Sequence, residues 1–232
     1  MRGFTVLFVV VLCVGCFSCC SEDNEEDYRL VSLSATGYAD GYEYVDMGLS
    51  VKWATCNVGA KHPYEYGDYF SWGETAPKND YSWATYKFTS DGGSTFIKYS
   101  GGEKLVLDAE DDAAAANWGG EWRMPTLAEI KELLDEKNCQ WEWKPLGNAY
   151  NGVPGYLVTS KVKGYEGNSI FLPASGYRYK SSVNDGGYEG YFWSSSRYSG
   201  GNGNACELLF DYNKVNSGSD RRFLGRPVRP VL

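Results

Sequence analysis

The chain has 232 residues, enough for one large domain or two small ones. A formal charge of −8 leaves it without attraction for phosphate backbones, which argues against general nucleic-acid binding, and a single histidine rules out a histidine-built zinc site. Gly 28, Tyr 19 and Trp 8 are the unusual counts: they favour turns and short strands over helix, and they supply broad amphipathic surfaces that pack inside or stack on a ligand outside.

Residues 1–3 make a short positive start, and residues 4–17 are almost wholly apolar but too short to span a bilayer comfortably, so the segment reads as a secretory signal peptide. It ends in Cys16, Cys19 and Cys20, not in an Ala-x-Ala site, and the acidic run SEDNEED follows at residues 21–27. This resembles a bacterial lipoprotein signal, in which the first residue after cleavage is a lipid-modified cysteine, and the acidic run is similar to the surface-export tether of Bacteroidetes lipoproteins. Cys20 is the first choice for lipidation because the acidic run begins directly behind it. Cys19 stands where such signals place Ala, Gly or Ser, and Cys19 and Cys16 remain open. The resemblance implies an outer-membrane lipoprotein exposed at the cell surface and divided into a signal peptide (1–19), an acidic flexible tether (20–41) and a domain (42–232).

From residue 42 the character changes. Residues 44–47 and 51–54 are short β-like runs around Gly48, a hairpin by pattern. Residues 63–89 are aromatic and turn-rich, and read as a loop whose rings pack inward. The acidic residues Asp108 to Asp112 precede an alanine run, which predicts a short helix over about 109–117 with negative charge at its N-terminus. A calcium site is the sharper alternative there, but the spacing does not match an EF-hand loop, and no metal or cofactor is assigned. The strongest helical signal follows. Thr126 and Glu129 stand three apart, as a capping box requires, and Ile130, Leu133 and Leu134 share one face of a helix over about 126–137. Residues 139–145, 155–160, 169–173, 191–194 and 206–210 read as strands, and residues 174–191 as a Gly/Tyr/Ser/Asn loop. Two prolines in the last seven residues, 226–232, allow only an edge or end strand.

Several runs in order, GLSVKWATCNVGA (48–60), YGDYFSWGET (66–75), DDAA (111–114), WRMPT (122–126), IFLPASGYR (170–178), WSSS (193–196) and GRPVRPV (225–231), resemble the Fibrobacter succinogenes major paralogous domain family of Bacteroidetes surface lipoproteins. The resemblance covers roughly residues 42–232. It implies an α+β, C-type-lectin-like fold, distantly similar to sulfatase-modifying factor domains, in which Val51-Lys52-Trp53 lies near Val228-Arg229-Pro230 so that the chain ends pair. Phe88 and Ser100 stand where many members carry a cysteine pair. The exported domain keeps Cys56, Cys139 and Cys206. Cys56–Cys139 is the candidate disulfide, with three buried reduced thiols as the alternative.

The function expected is a non-catalytic surface module that binds an extracellular glycan or protein through Tyr177, Arg178, Tyr188, Tyr191, Arg197, Tyr198 and Tyr212, set among many Gly, Ser and Asn. Trp193, in an apolar run, is expected to pack the sheet. The calcium-binding triplets of true C-type lectins are absent. His62 sits in the turn Lys61-His62-Pro63, weak support for a nucleophilic triad, and no phosphate-cradling glycine motif appears. The alternatives are a structural subunit of a surface assembly and a hydrolase built on paired carboxylates.

Overall fold

The structure, a computed structural model, describes residues 33–102, 104–148 and 150–232. Cys16, Cys19 and Cys20, with the signal peptide and most of the tether, lie outside the described residues. Strand β1 (Gly37–Ala39) turns back through Asp40 and Gly41 into β2 (Tyr42–Val45), which pairs with β3 (Trp53–Ala54). β1 falls inside the stretch expected to be a tether. The reason is local: Asp40 and Gly41 both take positive φ, the two-residue Asp-Gly turn that best closes a hairpin.

The expected helix over 109–117 is broken in two. Ala109–Asp111 makes one 3-10 turn, and α1 (Ala113–Trp118) starts afresh behind Asp112. The Asp112 carboxylate accepts from the backbone N–H groups of Ala114 (2.9 Å) and Ala115 (3.0 Å), and also from Met124 N–H (2.8 Å), so one side chain caps α1 and ties it to the approach of the next helix. That helix, α2 (Leu127–Leu134), carries the predicted capping box: Thr126 Oγ1 accepts from Glu129 N–H, and Glu129 accepts from Thr126 N–H at 2.7 Å. It stops at Leu134, short of 137, because side chains take its last carbonyls: Asn138 donates to Glu132 O (2.9 Å) and Trp141 Nε1 to Leu133 O (3.1 Å).

The remaining strands pair antiparallel. β4 (Cys139–Lys144), β5 (Gly155–Ser160) and β6 (Ser169–Pro173) form one sheet in that order; β9 (Gly190–Arg197), β10 (Asn204–Phe210) and β11 (Val215–Arg221) form another. Residues 174–191 are not simply a loop, since β7 (Tyr177–Tyr179) and β8 (Ser182–Asn184) make a small hairpin there. Gly176 feeds it at φ +61°, and a Cβ at that position would overlap the Asn184 carbonyl oxygen. Among the described residues, two α-helices with small antiparallel sheets make an α+β fold.

The β9–β11 sheet divides the interior. Phe192, Leu208 and Phe210 face a cluster with Ile130 and Leu133 of α2, while Trp193 and Ala205 face a second cluster with Phe70, Trp72 and Met124. Neighbouring strand residues point to opposite faces, so Phe192 and Trp193 serve different cores.

The chain ends pair as expected. Lys52 N–H donates to Leu232 O and Leu232 N–H to Lys52 O, both at 2.9 Å, and Ala54 N–H reaches Pro230 O at 2.9 Å. The terminal strap, residues 222–232, also exchanges backbone hydrogen bonds with Phe70, Arg123 and Arg178 and accepts from Trp193 N–H. Three of its arginines are wholly buried. Arg226 pairs with Glu207 and with Asp220 (2.7 Å), its guanidinium lying 4.6 Å from the ring centres of Tyr191 and Trp193. Among the described residues Arg229 has no carboxylate partner: it donates to Asn57 Oδ1 (2.8 Å) and to the carbonyls of Ala54 (3.1 Å), Thr55 (2.9 Å) and Phe171 (2.9 Å). Burial pushes the pKa of both guanidinium groups below the ordinary value; four acceptors make that burial tolerable for Arg229, and the carboxylates of Glu207 and Asp220 offset it for Arg226.

The Cys56–Cys139 bridge does not form; Cys56, Cys139 and Cys206 are all free. Cys139 is sealed into the apolar cluster with Ile130 and Leu133, whereas Cys56 sits half-buried between Thr55 and the Arg229 side chain.

Candidate functional site

An open cleft of about 510 Å3 lies where five separate segments meet, lined by Tyr66, Trp143, Leu146, Tyr188 and Tyr212 with Pro145 and Pro154. Trp143 arrives on β4. Alternation places it on the same face as Trp141, packed edge-on against Tyr156 at 5.2 Å with its other side toward the cleft. Leu146 stands on the 3-10 turn Leu146–Asn148. Tyr212 is carried by the tight β10–β11 turn, where Asp211 Oδ1 accepts from Asn213 N–H (2.7 Å) and Lys214 N–H (3.1 Å). Tyr188 rides on the turn after β8, held by Gly187 N–H donating to Ala174 O at 2.7 Å and Tyr188 N–H to Asp185 O at 3.1 Å. Tyr66 forms the inner wall. Burial pushes its hydroxyl pKa up, and that hydroxyl lies beside the Gly187 amide, which offsets part of the rise.

These rings are left in water. Tyr188 is 75% exposed, Tyr212 66% and Leu146 70%, in a chain that buries most of its other large aromatics. A concentrated exposed apolar surface in a concave setting marks a contact site. Open aromatic faces with backbone amides nearby suit the apolar face of a ring-shaped, hydroxyl-rich ligand.

A second, more polar cleft of about 340 Å3 is lined by the residues that follow Tyr66 in the chain, Gly67, Asp68 and Tyr69, with Lys78, Asn79, Tyr81 and Arg178. The segment 66–69 is its shared wall: Tyr66 faces the aromatic cleft and Asp68 and Tyr69 the polar one. Gly67 makes the intervening turn at φ +72°, where a Cβ would run into the Val58 carbonyl.

Of the seven expected ligand residues, Tyr188 and Tyr212 meet in the aromatic cleft and Arg178 lines its polar neighbour. Tyr177 and Tyr191 are instead part of the scaffold, flanking the buried Arg226 guanidinium at 6.0 and 4.6 Å, with the Tyr191 hydroxyl bonded to Glu189. Arg197 and Tyr198 sit at the far end of β9, on the order of 20 Å from Tyr188 at an ordinary strand rise. There Arg197 donates to Asn202 Oδ1 at 3.1 Å, away from the cleft. Trp193 is fully buried, as expected from its apolar run, with Nε1 donating to Phe70 O at 2.9 Å. Tyr66 and Trp143 were not singled out by the sequence. Each sits in a run with neighbouring aromatics that point inward, so composition alone does not mark them.

The acidic run holds no spare carboxylate array. Asp108, Glu110 and Asp111 lie close together, but Lys98 pairs with all three, Lys104 with Asp108 and Lys87 with Asp111. Cys56 and His62 line one further cleft, with Glu43 and Lys61. Burial pushes the Cys56 thiol up despite the opposing charge of Arg229, which disfavours the thiolate, and the His62 ring stacks on Tyr64 at 5.2 Å. No described helix is long and apolar enough to cross a membrane. In comparisons with known proteins, no family model, no curated protein and no solved structure matches the chain.

Proposed function

We propose that this protein is a non-catalytic surface lipoprotein of the outer membrane whose domain binds an extracellular glycan in the cleft of Tyr66, Trp143, Tyr188 and Tyr212. The convergence of four aromatic side chains from four distant segments on one open cleft, two of them mostly exposed, is the observation that carries the reading. Membership of the Fibrobacter succinogenes major paralogous domain family, with a C-type-lectin-like fold, belongs to the same proposal. Its supports are the paired chain ends and the capped helix beside them. The anchor at Cys20 is supported by the sequence of residues 1–27 alone.

A glycan array probed with the wild-type protein and with Tyr188→Ala and Tyr212→Ala tests the cleft. Binding that is saturable and falls at least tenfold in either variant, at unchanged melting temperature, is the expected result; each ring is asked for at least about 1.4 kcal/mol, within the range of an interface anchor. Equal binding by wild type and both variants sinks the cleft. Failure on glycans, with saturable binding of a protein ligand lost in the same variants, turns the reading to a protein partner. For the anchor, Cys20→Ala should abolish fatty-acid labelling and release the protein from the membrane fraction; retained labelling moves the site to Cys19 or Cys16.

A further inference from the structure

The polar cleft holds a cation, Arg178, that is in no ion pair among the described residues, although the exposed Asp68 carboxylate lines the same cleft. Among the described residues the Arg178 guanidinium makes no ion pair and no side-chain hydrogen bond; it lies 5.3 Å from the Tyr69 ring centre and acts electrostatically on the Tyr69 and Tyr81 hydroxyls. The other cation there, Lys78, is already engaged: its ammonium bonds both oxygens of Glu74 (2.9 and 2.8 Å) and Thr85 O (3.1 Å). Arg178 is also firmly placed. Its own N–H donates to Gly225 O at 2.7 Å and its carbonyl accepts from Gly225 N–H at 2.9 Å, which fastens β7 to the terminal strap. The ring beneath it is fixed too, since Tyr69 Oη donates to Ser175 O and Tyr81 Oη to Tyr69 O, both at 2.5 Å. A half-buried guanidinium stacked on an immobilised ring keeps its planar donor fork free and loses little side-chain entropy on binding. A planar fork of that kind matches a carboxylate two-to-two.

From this we infer that the Arg178 cleft is an anion subsite continuous with the aromatic cleft, and that the ligand is an acidic glycan bearing a sugar carboxylate. The inference deepens, and rests on, the glycan reading of the aromatic cleft. Proximity of the two clefts follows from the chain. Tyr66 and Tyr69 are three residues apart, at most about 10 Å even if fully extended, so one ligand can touch both walls. Asn79 lines the same cleft and offers an amide to the neighbouring hydroxyls. Asp68 on the rim is exposed and opposes the bound carboxylate. In a chain of net charge −8, long-range attraction does not gather anions, so this local fork would have to supply the selectivity.

The test uses the full-length lipoprotein in detergent and a panel of polygalacturonate, alginate and hyaluronan, with fully methyl-esterified polygalacturonate as the uncharged match and polyglutamate as the acidic peptide. The expected result is binding of at least one uronate polymer, at least tenfold tighter than the esterified one. Arg178→Gln should erase that difference by weakening the acidic polymer to the level of the esterified one, and Asp68→Asn should tighten the acidic polymer a few-fold. Asp68 is exposed, so its variant reads the subsite even if the Arg178 variant folds poorly. Equal binding of the charged and esterified forms, no uronate bound, or no response to either variant overturns the inference. Preference for polyglutamate over every uronate overturns the glycan assignment. The two readings separate cleanly: Tyr188→Ala should weaken charged and uncharged polymers alike. If it changes neither while Arg178→Gln still weakens the acidic one, the aromatic cleft fails and the anion subsite stands.

Discussion

The terminal seam and the aromatic cleft treat the same residue types in opposite ways. In the seam, Trp193, Tyr191 and Tyr177 surround Arg226, and Arg229 spends its donors on four acceptors. In the cleft, Tyr188 and Tyr212 stand largely in water, and Arg178 in the polar cleft bonds its side-chain donors to no described residue. The difference teaches that identity does not decide role here; satisfaction does. Residues of the seam are over-determined by partners, and those of the cleft are positioned by their backbone turns while their side chains remain uncommitted. The runs that carry the family resemblance fall largely on the seam, at residues 52–58, 70–72, 112, 122–124 and 225–231. Most of the cleft comes from segments outside them, at 143–146, 152–154, 186–188 and 212. This is the division expected when a site is grafted onto a scaffold.

That contrast can be broken most forcibly at Arg229. Replacing it with Met leaves Asn57 Oδ1 and three buried carbonyls without donors and should cost at least about 3 kcal/mol in chemical denaturation, if the chain folds at all. A loss under about 1 kcal/mol would show that the seam does not depend on its buried arginine. Asp112→Ala comes next. It removes the α1 cap and the acceptor for Met124 N–H, with an expected loss of about 2 kcal/mol, whereas Asp112→Asn should retain much of the cap and lose less. Matching losses in the two variants would contradict the capping role.

Glu129 gives a smaller effect with a pH signature. Burial works to raise its carboxyl pKa, but the Arg123 pair and the Thr126 N–H bond outweigh that and hold it below the ordinary 4.5. A lowered folded-state value means stabilisation that is complete above the unfolded pKa and is lost as pH falls through the folded one. Glu129→Gln should therefore cost about 1 kcal/mol near neutrality and flatten the acid limb of melting temperature against pH below about 4.5. Parallel acid limbs for wild type and variant would remove Glu129 from the titration. Smallest in stability are Tyr188→Ala and Tyr212→Ala, expected within about 0.5 kcal/mol of wild type by melting because neither ring closes a core. A loss above about 1 kcal/mol would move those tyrosines from the site to the scaffold.

Much of the fold was legible because its signals are local. Thr126 and Glu129 announced α2 through a box that involves four consecutive residues, and Pro173 closed β6 where its missing N–H requires. Asp40-Gly41 was an equally local hairpin signal that the acidic surroundings masked. β11 was not legible at all: Val-Asn-Ser-Gly-Ser-Asp-Arg has no apolar alternation and is a strand only because β10 supplies its hydrogen-bond partners. The disulfide failed for a similar reason, since cysteine count says nothing of where Cys56 and Cys139 are carried.

The sequence by itself determined the helix start, most of the strands, the acidic and aromatic character, and, through the family-like runs, the pairing of the chain ends. Only the tertiary structure decided which of many tyrosines and arginines are free. Tyr191 and Tyr188 are three residues apart in similar company, yet one packs on Arg226 and the other faces water, because exposure depends on which distant segment arrives to cover a side chain, and no local pattern carries that information.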